Sequence, residues 1–301
     1  MHYSRSSFNS QSCGSSTYQE CTFSRRLSSF PSSAVFNFCT FDTLSSEEDG
    51  GAISFSQASQ SLTLEGCNFR ECTSSAHGGA VFVDSSSSFT AKSTTFAECV
   101  ATNFGGAIAV WKLCVSSSIS FCSFVSCHAN HGGAFVTYLG PSSFLSSTRI
   151  FSCTAEWVGG GFYHEGCDSD FLTVIDCLFA QNSADYSNGT YVYYYYRGGG
   201  AFEDLKKDVY PSKYSFSFFM GNKAPNGVGN DISIYKHGVT ANDIFHCFTM
   251  SFHSIWNGEN EGYVDWLPQG SIYFVTSTTE GANETIDNNS FTYMHTLGSY
   301  L

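Results

Sequence analysis

Gly50-Gly51-Ala52-Ile53 is the stretch that decides the fold, because close copies of it recur along the chain. They are Gly78-Gly79-Ala80-Val81, Gly105-Gly106-Ala107-Ile108, Gly132-Gly133-Ala134-Phe135, Gly159-Gly160-Gly161-Phe162 and Gly199-Gly200-Ala201-Phe202. The first five copies follow one another at intervals of 28, 27, 27 and 27 residues. A fixed period of this length is typical of solenoids, in which each repeat packs on its neighbours. The sequence therefore predicts a repeat protein.

Aligning the copies places residues of one type in columns. The position after the glycines holds Ile53, Val81, Ile108, Phe135, Phe162, Phe202 and Ile232. A second apolar column holds Leu64, Ala91, Ile119, Leu145, Val174 and Tyr214. A third holds Phe69, Phe96, Phe124, Ile150, Phe179 and Phe219. Ser, Gly and Asn separate these apolar positions, which indicates short inward-facing strands joined by turns.

Short strands at this period, with no helical pattern, predict an all-β fold: a right-handed parallel β-helix with three strands and about 27 residues per coil. In this geometry identical side chains stack in register, about 4.8 Å apart. We expect residues 1–49 to form irregular N-terminal coils or a cap, 50–235 the repeat β-helix, and 236–301 the last coil and a C-terminal cap.

The cysteines follow the same period. One column holds Cys72, Cys99, Cys127, Cys153, Asn182 and Asn222, and a second holds Cys39, Cys67, Thr94, Cys122, Thr148, Cys177 and Ser217. Buried cysteine behaves as a small apolar residue, so stacking alone explains the period. The exchange with Asn and Thr favours reduced, stacked corner residues. Disulfides and metal binding are the alternatives.

Composition limits the possible functions. With 26 acidic and 13 basic residues, the formal net charge is −13. Nucleic-acid binding is not expected, because phosphate contacts need clustered Lys and Arg. No apolar run is long enough to span a membrane. Met1 to Phe8 lack the apolar core of a signal peptide, so either the protein stays inside the cell or the chain is a piece of a larger surface protein.

The pairing of the glycine motif with Phe179-Ala180-Gln181-Asn182 and Phe219-Met220-Gly221-Asn222 resembles the repeats of the chlamydial polymorphic membrane proteins and similar protist surface proteins. Four copies have Cys in place of that Asn, and Gly229-Asn230-Asp231-Ile232 resembles a variant glycine motif. The similarity covers residues 50–235. It implies a β-helical passenger that is displayed at the cell surface or secreted, mediates adhesion and has no catalytic site.

The largest interruption of the repeat lies between Asn182 and Gly199. It is rich in aromatic residues: Tyr186, Tyr191, Tyr193, Tyr194, Tyr195, Tyr196 and Arg197. Insertions in solenoids form loops on one face, and Tyr and Arg often anchor interfaces. We therefore expect this Tyr-rich insertion to bind the ligand. The alternative is an ordinary edge strand packed on the solenoid.

Two pairs of polar residues are weaker candidates. His164 and Asp204 align with the apolar column of Phe55 and Val83, which predicts a catalytic pair, a shared hydrogen bond or a register shift; we favour the register shift. His77 and His131 share a corner column, but Phe104 separates them, so a common metal ion is not expected.

The sequence thus predicts a non-enzymatic adhesion and binding scaffold. Its expected partner is a protein or glycan on a host or neighbouring cell, without cofactor, metal or nucleic acid. The alternative is a carbohydrate-active enzyme of the lyase or glycoside hydrolase type, because such enzymes also use this coil. Their chemistry needs carboxylates concentrated on one strand face, whereas the acidic residues of this chain are scattered.

Overall fold

The computed structural model describes residues 17–30, 32–84, 88–111, 114, 116–138, 142–166, 172–184, 199–205, 213–223, 232–237, 251–255, 272–278 and 282–286. These residues form strands and turns, without a helix, in a parallel β-solenoid. The part of the chain described contains no helix with the length and apolar character of a membrane span.

The strands are short and are numbered in chain order. Strands β1 to β10 are Thr17–Gln19, Thr22–Phe23, Ala34–Asn37, Thr40–Asp42, Ser45–Ser46, Ile53–Ser56, Ser61–Glu65, Asn68–Arg70, Thr73–Ser74 and Val81–Asp84. Strands β11 to β20 are Ser88–Lys92, Thr95–Ala97, Val100–Ala101, Ile108–Val110, Ser116–Ser120, Ser123–Val125, His128–His131, Phe135–Tyr138, Ser142–Ser146 and Arg149–Phe151. Strands β21 to β31 are Thr154–Val158, Phe162–Gly166, Leu172–Ile175, Leu178–Ala180, Ser183–Ala184, Ala201–Leu205, Lys213–Met220, Ile232–His237, Ser251–Ile255, Ile272–Thr278 and Ala282–Ile286.

The strands form three sheets that run along the solenoid axis. Each coil enters sheet A twice, as β7 and β8 do, then passes through sheet C, as β9 does, and through sheet B, as β10 does. Sheet C contains β5, β9, β13, β17, β21 and β25, and sheet B contains β6, β10, β14, β18, β22, β26, β28, β30 and β31. Strands β30 and β31 pair antiparallel at the end of sheet B.

The register confirms the predicted parallel β-helix and its stacked core, but each coil has four strands instead of the predicted three, because two of them belong to sheet A. Leu64, Ala91, Ile119, Leu145, Val174 and Tyr214 are in register, as are Phe69, Phe96, Phe124, Ile150, Phe179 and Phe219. The rings of Phe41, Phe69, Phe96 and Phe124 are fully buried and stack at centroid distances of 4.5, 4.9 and 5.0 Å. Burying one such side chain contributes about 1.5–3 kcal/mol, so this column is a major source of stability.

The column predicted after the glycines differs from the observed register at one residue, Phe202. Phe162 pairs with Ala201, and Ala201 pairs with Ile232, so Phe202 does not belong to that column. The sequence has three consecutive glycines at 198–200, which permit two alignments one residue apart. Because side chains alternate between the two faces of a strand, this shift exchanges inward and outward positions.

Each coil turns at a corner where sheet C meets sheet B, which we call the glycine corner. Gly50, Gly78, Gly105, Gly132 and Gly159 have positive φ there. The following glycine lies against the next coil: a Cβ on Gly106 would be 2.0 Å from the carbonyl oxygen of Gly133. Close approach of two backbones therefore explains the repeated glycine pair.

The corner between sheets A and C, which we call the thiol corner, contains the first cysteine column. The Sγ atoms of Cys99 and Cys127 lie 3.9 and 3.7 Å from carbonyl oxygens one coil below. In the same column, Nδ2 of Asn182 donates to the carbonyl of Ile150 at 3.0 Å. Both side chains bond to the neighbouring backbone, which explains the exchange of Cys and Asn. The ten cysteines in the described residues form no disulfide.

Candidate functional site

The outer face of sheet B is apolar, although it faces away from the core. Phe82, Ala109, Val136 and Tyr163 lie side by side on this face, with exposed fractions of 6%, 0%, 0% and 6%. Side chains alternate along a strand, so their neighbours, such as Val81, fill the core instead. Outward positions this deeply buried must be covered by a second layer of side chains.

Part of that layer comes from the residue that precedes the glycine pair. His77, Phe104 and His131 occupy this position in successive coils and are joined by backbone bridges. The ring of Phe104 lies 5.3 Å from that of His77 and 4.5 Å from that of His131. A row of aromatic rings thus lies immediately beside the glycine corner, whose glycines have no side chains.

The rest of the layer comes from the far end of the sheet B strands. Trp111 and Tyr138 stack at 4.3 Å with an interplanar angle of 21°. Trp111 also approaches His77 at 4.7 Å, and Tyr138 approaches Phe104 at 5.5 Å. With one further residue, Trp157, these side chains form what we call the outer aromatic cluster: His77, Phe82, Phe104, Trp111, His131, Tyr138, Trp157 and Tyr163.

Trp157 reaches the surface because β21 contains a bulge. Residues 129 to 131 of β17 pair with 155 to 158 of β21, so β21 has one extra residue. A bulge of this kind redirects side chains. Trp157 is 47% exposed, and its ring lies 5.2 Å from that of His131. Trp157 is the one exposed tryptophan among the described residues.

The two histidines of the cluster are uncharged at neutral pH. Burial lowers the pKa of His131 to about 4 and also lowers the pKa of His77. Nδ1 of each ring is buried and has no hydrogen-bond partner among the described residues. The two rings therefore add no positive charge and pack as aromatic groups. His128 lies outside the cluster, on the adjacent sheet C, 3.9 Å from the exposed carboxylate of Glu156.

Acidic and aromatic residues share one register column near the C-terminal ends of the sheet B strands. The amide of Trp111 donates to the carbonyl of Val83 at 2.8 Å, which places Trp111 beside Asp84. Tyr138 pairs with Glu165, and Glu165 pairs with Asp204. We call this column the acid–aromatic stripe: Asp84, Trp111, Tyr138, Glu165 and Asp204. The hydroxyl of Tyr163 donates to Oε2 of Glu165 at 2.8 Å.

His164 lies inside the solenoid, as its column predicts, but Asp204 is not its neighbour. The register pairs His164 with Glu203, which confirms the favoured interpretation, a register shift near the insertion, over the alternative pair of His164 and Asp204. Nδ1 of His164 is 2.7 Å from Oγ1 of Thr137, while Nε2 has no partner among the described residues. Burial lowers the pKa of His164 to about 4.

The Tyr-rich insertion that the sequence singled out, with Tyr186, Tyr191, Tyr193 to Tyr196 and Arg197, lies outside the described residues. Its two ends are described. Ala184 ends β25 in sheet C, and the carbonyl of Gly199 lies against Gly160 at the glycine corner. As expected, Phe104 separates His77 from His131.

The outer aromatic cluster was not predicted from the sequence, although the sequence contains a signal for it. Apolar residues follow one another without alternation in Val81-Phe82-Val83, Ile108-Ala109-Val110 and Phe162-Tyr163. Continuous apolar runs indicate strands that are buried on both faces. The aligned columns include Val81 and Val83 but not Phe82, which lies between them on the opposite face of the strand.

Comparison with known proteins agrees with the architecture. The family described as right handed beta helix region matches residues 51–202 of the 301. No curated protein and no solved structure shows significant similarity to the chain. The matched residues include the glycine corners and the strands that carry the outer aromatic cluster. The chain belongs to the right-handed β-helix family.

Proposed function

We propose that this chain is a non-enzymatic binding scaffold, displayed at a cell surface or secreted, that mediates adhesion to a protein or glycan of another cell. The observation that carries the proposal is the outer aromatic cluster. It assembles Trp, Tyr, Phe and His side chains on the outside of the solenoid, and Trp and Tyr are the residues that most often anchor interfaces.

The other faces in the same coils support this choice of surface. The outer face of sheet A at β7 and β11 carries Ser and Thr side chains and an exposed ion pair of Lys92 with Glu65. An exposed pair of this kind adds little to stability or binding. A contact with these two strands would therefore contribute little binding energy, although sheet A exposes Phe144 and Phe151 further along the solenoid.

The surface location rests on the resemblance to the polymorphic membrane proteins. The structure explains the residues that carry that resemblance: the glycines make the close turn, and Asn182 and Asn222 bond to the backbone of the neighbouring coil. The shared motif is thus a requirement of the coil itself. Display and adhesion are the parts of the resemblance that we propose for this chain.

A binding experiment with matched variants tests the proposal. The purified chain is applied to cultured cell monolayers and to a glycan array, beside Trp157→Ser and beside a variant with Tyr191 and Tyr193 to Tyr196 changed to Ser. Phe151→Ser is the control, because Phe151 is an aromatic residue on sheet A that is 38% exposed.

We expect Trp157→Ser to weaken binding by about tenfold or more, as is typical of a central interface tryptophan. Phe151→Ser should bind like the original chain. Equal binding by all variants, or a selective loss in Phe151→Ser, would contradict the proposed surface.

A second candidate, a carbohydrate-active enzyme, has one observation in its favour. Glu165 and Asp204 are register neighbours on one strand face, and glycoside chemistry uses paired carboxylates. Release of oligosaccharides from an acidic polysaccharide, abolished in Glu165→Gln, would support this candidate over the scaffold. Binding of a polysaccharide without cleavage would support the scaffold.

A further inference from the structure

Three reduced cysteines lie side by side in the second cysteine column, in successive coils. They immediately precede β2, β4 and β8, which pair in register. We call these residues the thiol stack: Cys21, Cys39 and Cys67. The thiol of Cys39 interacts with the thiols on both sides of it. Further along this column, Thr or Ser separates each cysteine from the next, so adjacent thiols occur only at this end.

The spacing of the thiol stack permits a disulfide between adjacent coils. Neighbouring strands lie about 4.8 Å apart, and disulfides join residues whose Cα atoms are about 4.4–6.8 Å apart. The amide of Thr40 donates to the carbonyl of Cys21 at 2.7 Å, which holds the two coils together at this position. A bond between Cys21 and Cys39 would therefore link two segments that are already in contact.

Only one end of the thiol stack is accessible to a dissolved oxidant. Among the ten cysteines of the described residues, Cys21 is partly exposed and the others are buried. Oxidation of cysteine follows exposure and thiolate character. The four cysteines of the thiol corner also lie in successive coils, but their exposed fraction is 0%. A peroxide therefore reaches Cys21 first.

The surroundings of Cys39 suit it to a second step. Its bond to the Cys67 thiol, together with burial, raises the pKa of Cys39. The thiolate is the form that reacts with oxidants, so Cys39 by itself reacts slowly with a peroxide. It nevertheless lies one strand spacing from Cys21, which is close enough to attack that sulfur once it has been oxidised.

We infer that the thiol stack is a site of reversible oxidation, in which Cys21 reacts with hydrogen peroxide and Cys39 then closes a disulfide. In the first step the Cys21 sulfur attacks the peroxide: an S–O bond forms, the O–O bond breaks, and one water leaves with the thiol proton. In the second step the Cys39 sulfur displaces the sulfenic hydroxyl, which leaves as water with the Cys39 proton. Two thiols thus lose two electrons to one peroxide, and a dithiol reverses the oxidation by exchange.

This inference goes beyond the proposed function and does not depend on it. It concerns a modification of the first coils of the described solenoid, whereas adhesion is proposed for the outer face of sheet B.

Mass spectrometry of the full chain tests the site. The chain is reduced with dithiothreitol, freed of reductant, exposed to hydrogen peroxide and alkylated with N-ethylmaleimide in denaturant. Chymotrypsin cleaves after aromatic residues and so releases Cys21 and Cys39 in separate peptides, 19–23 and 39–41. The same procedure is applied to Cys21→Ser and to Cys39→Thr, because Thr already occupies this column in other coils.

The matched control is Cys177→Thr. Cys177 belongs to the same column and has an exposed fraction of 1%, but its column neighbours are Thr148 and Ser217 instead of thiols. We expect the original chain and this control to give one disulfide between peptides 19–23 and 39–41, which dithiothreitol removes. Neither Cys21→Ser nor Cys39→Thr should give it, and the cysteines of the thiol corner should be recovered in alkylated form.

Three results would overturn the inference. One is a disulfide from Cys21 to a different residue, such as Cys13, which lies outside the described residues. The second is oxidation of Cys21 to its sulfinic acid without a disulfide. The third is full alkylation of Cys21 after peroxide treatment, since it would show that the accessible thiol does not react.

Discussion

The glycine corner and the thiol corner are two turns of the same coil, yet they accept different residues. Both contain a residue with positive φ: Gly105 at one corner and Ser126 at the other, with φ of 67° and 53°. The glycine corner has glycine in every described coil from Gly50 to Gly159, whereas the thiol corner has Glu71, Glu98, Ser126, Ser152, Gln181 and Gly221 at its positive-φ position.

Overlap with backbone atoms of the same coil explains the difference. A Cβ on Gly105 would lie 2.0 Å from the carbonyl oxygen of Ile108. At the thiol corner the positive-φ side chain of Ser126 is exposed instead. Positive φ alone costs an L-residue about 1–2 kcal/mol, which a surface turn tolerates. Overlap with backbone atoms restricts a corner to glycine. The aromatic rings at this corner therefore come from the preceding position, which holds His77, Phe104 and His131.

The largest predicted effect comes from adding one methyl group at the glycine corner. Gly106→Ala places a Cβ 2.0 Å from the oxygen of Gly133 and 2.6 Å from the amide nitrogen of His128. We expect a loss of more than about 4 kcal/mol in the free energy of unfolding, because neither backbone can move independently. Chemical denaturation followed by circular dichroism measures it. Ser126→Ala at the thiol corner is the control and should change stability by less than about 1 kcal/mol.

The two corners should also respond to opposite extremes of pH. Burial holds the pKa of His131 at about 4, below its ordinary 6.5, so the unfolded chain binds protons more tightly and stability falls as pH drops from about 6.5 to 4. Burial raises the pKa of the Cys99 and Cys153 thiols well above 9.0, so stability falls as pH rises past 9. The His131 contribution is about 3 kcal/mol at its limit.

His131→Phe tests the acid limb, because Phe104 already occupies the same column. We expect this variant to lose less stability between pH 7 and pH 5 than the original chain, as measured by urea denaturation. His164, whose pKa is also about 4, retains part of the acid sensitivity. An unchanged pH profile in His131→Phe would show that His131 is not buried at the glycine corner as described.

A smaller effect is expected from changes within the thiol corner. Asn182 accepts a bond from the amide of Cys153 at 2.9 Å and donates to the carbonyl of Ile150 at 3.0 Å. Asn182→Ala leaves both buried groups unpaired and should cost about 2–3 kcal/mol. Asn182→Cys should cost less than half as much, because Cys occupies this position in four other coils. Equal losses in thermal unfolding would contradict the interchange of thiol and amide.

Much of the fold could be predicted because a solenoid repeats its local constraints. The Phe69 column, the Leu64 column and the exchange of Cys with Asn are all visible as periodic residues, and the structure places them in register. Prediction failed where periodicity was ambiguous. The run of glycines at 198–200 permits two alignments one residue apart, so Phe202 was placed in the wrong column, although a register shift was favoured for His164 and Asp204.

The candidate site was less predictable, for a different reason. Trp111, Trp157 and Tyr163 lie in three different columns, so no single period of the sequence connects them. Their proximity arises from the bulge in β21 and from side chains that fold over the strands. The Tyr-rich insertion, predicted as the ligand site, lies outside the described residues and stays a prediction.

The sequence by itself determined the coil: its period, its core columns and the position of its glycine corners, because each of these depends on contacts between equivalent residues of adjacent coils. Only the tertiary structure decided which residues of different columns meet on the outside of sheet B. That arrangement depends on strand register and on a single extra residue, neither of which changes the local pattern of the sequence.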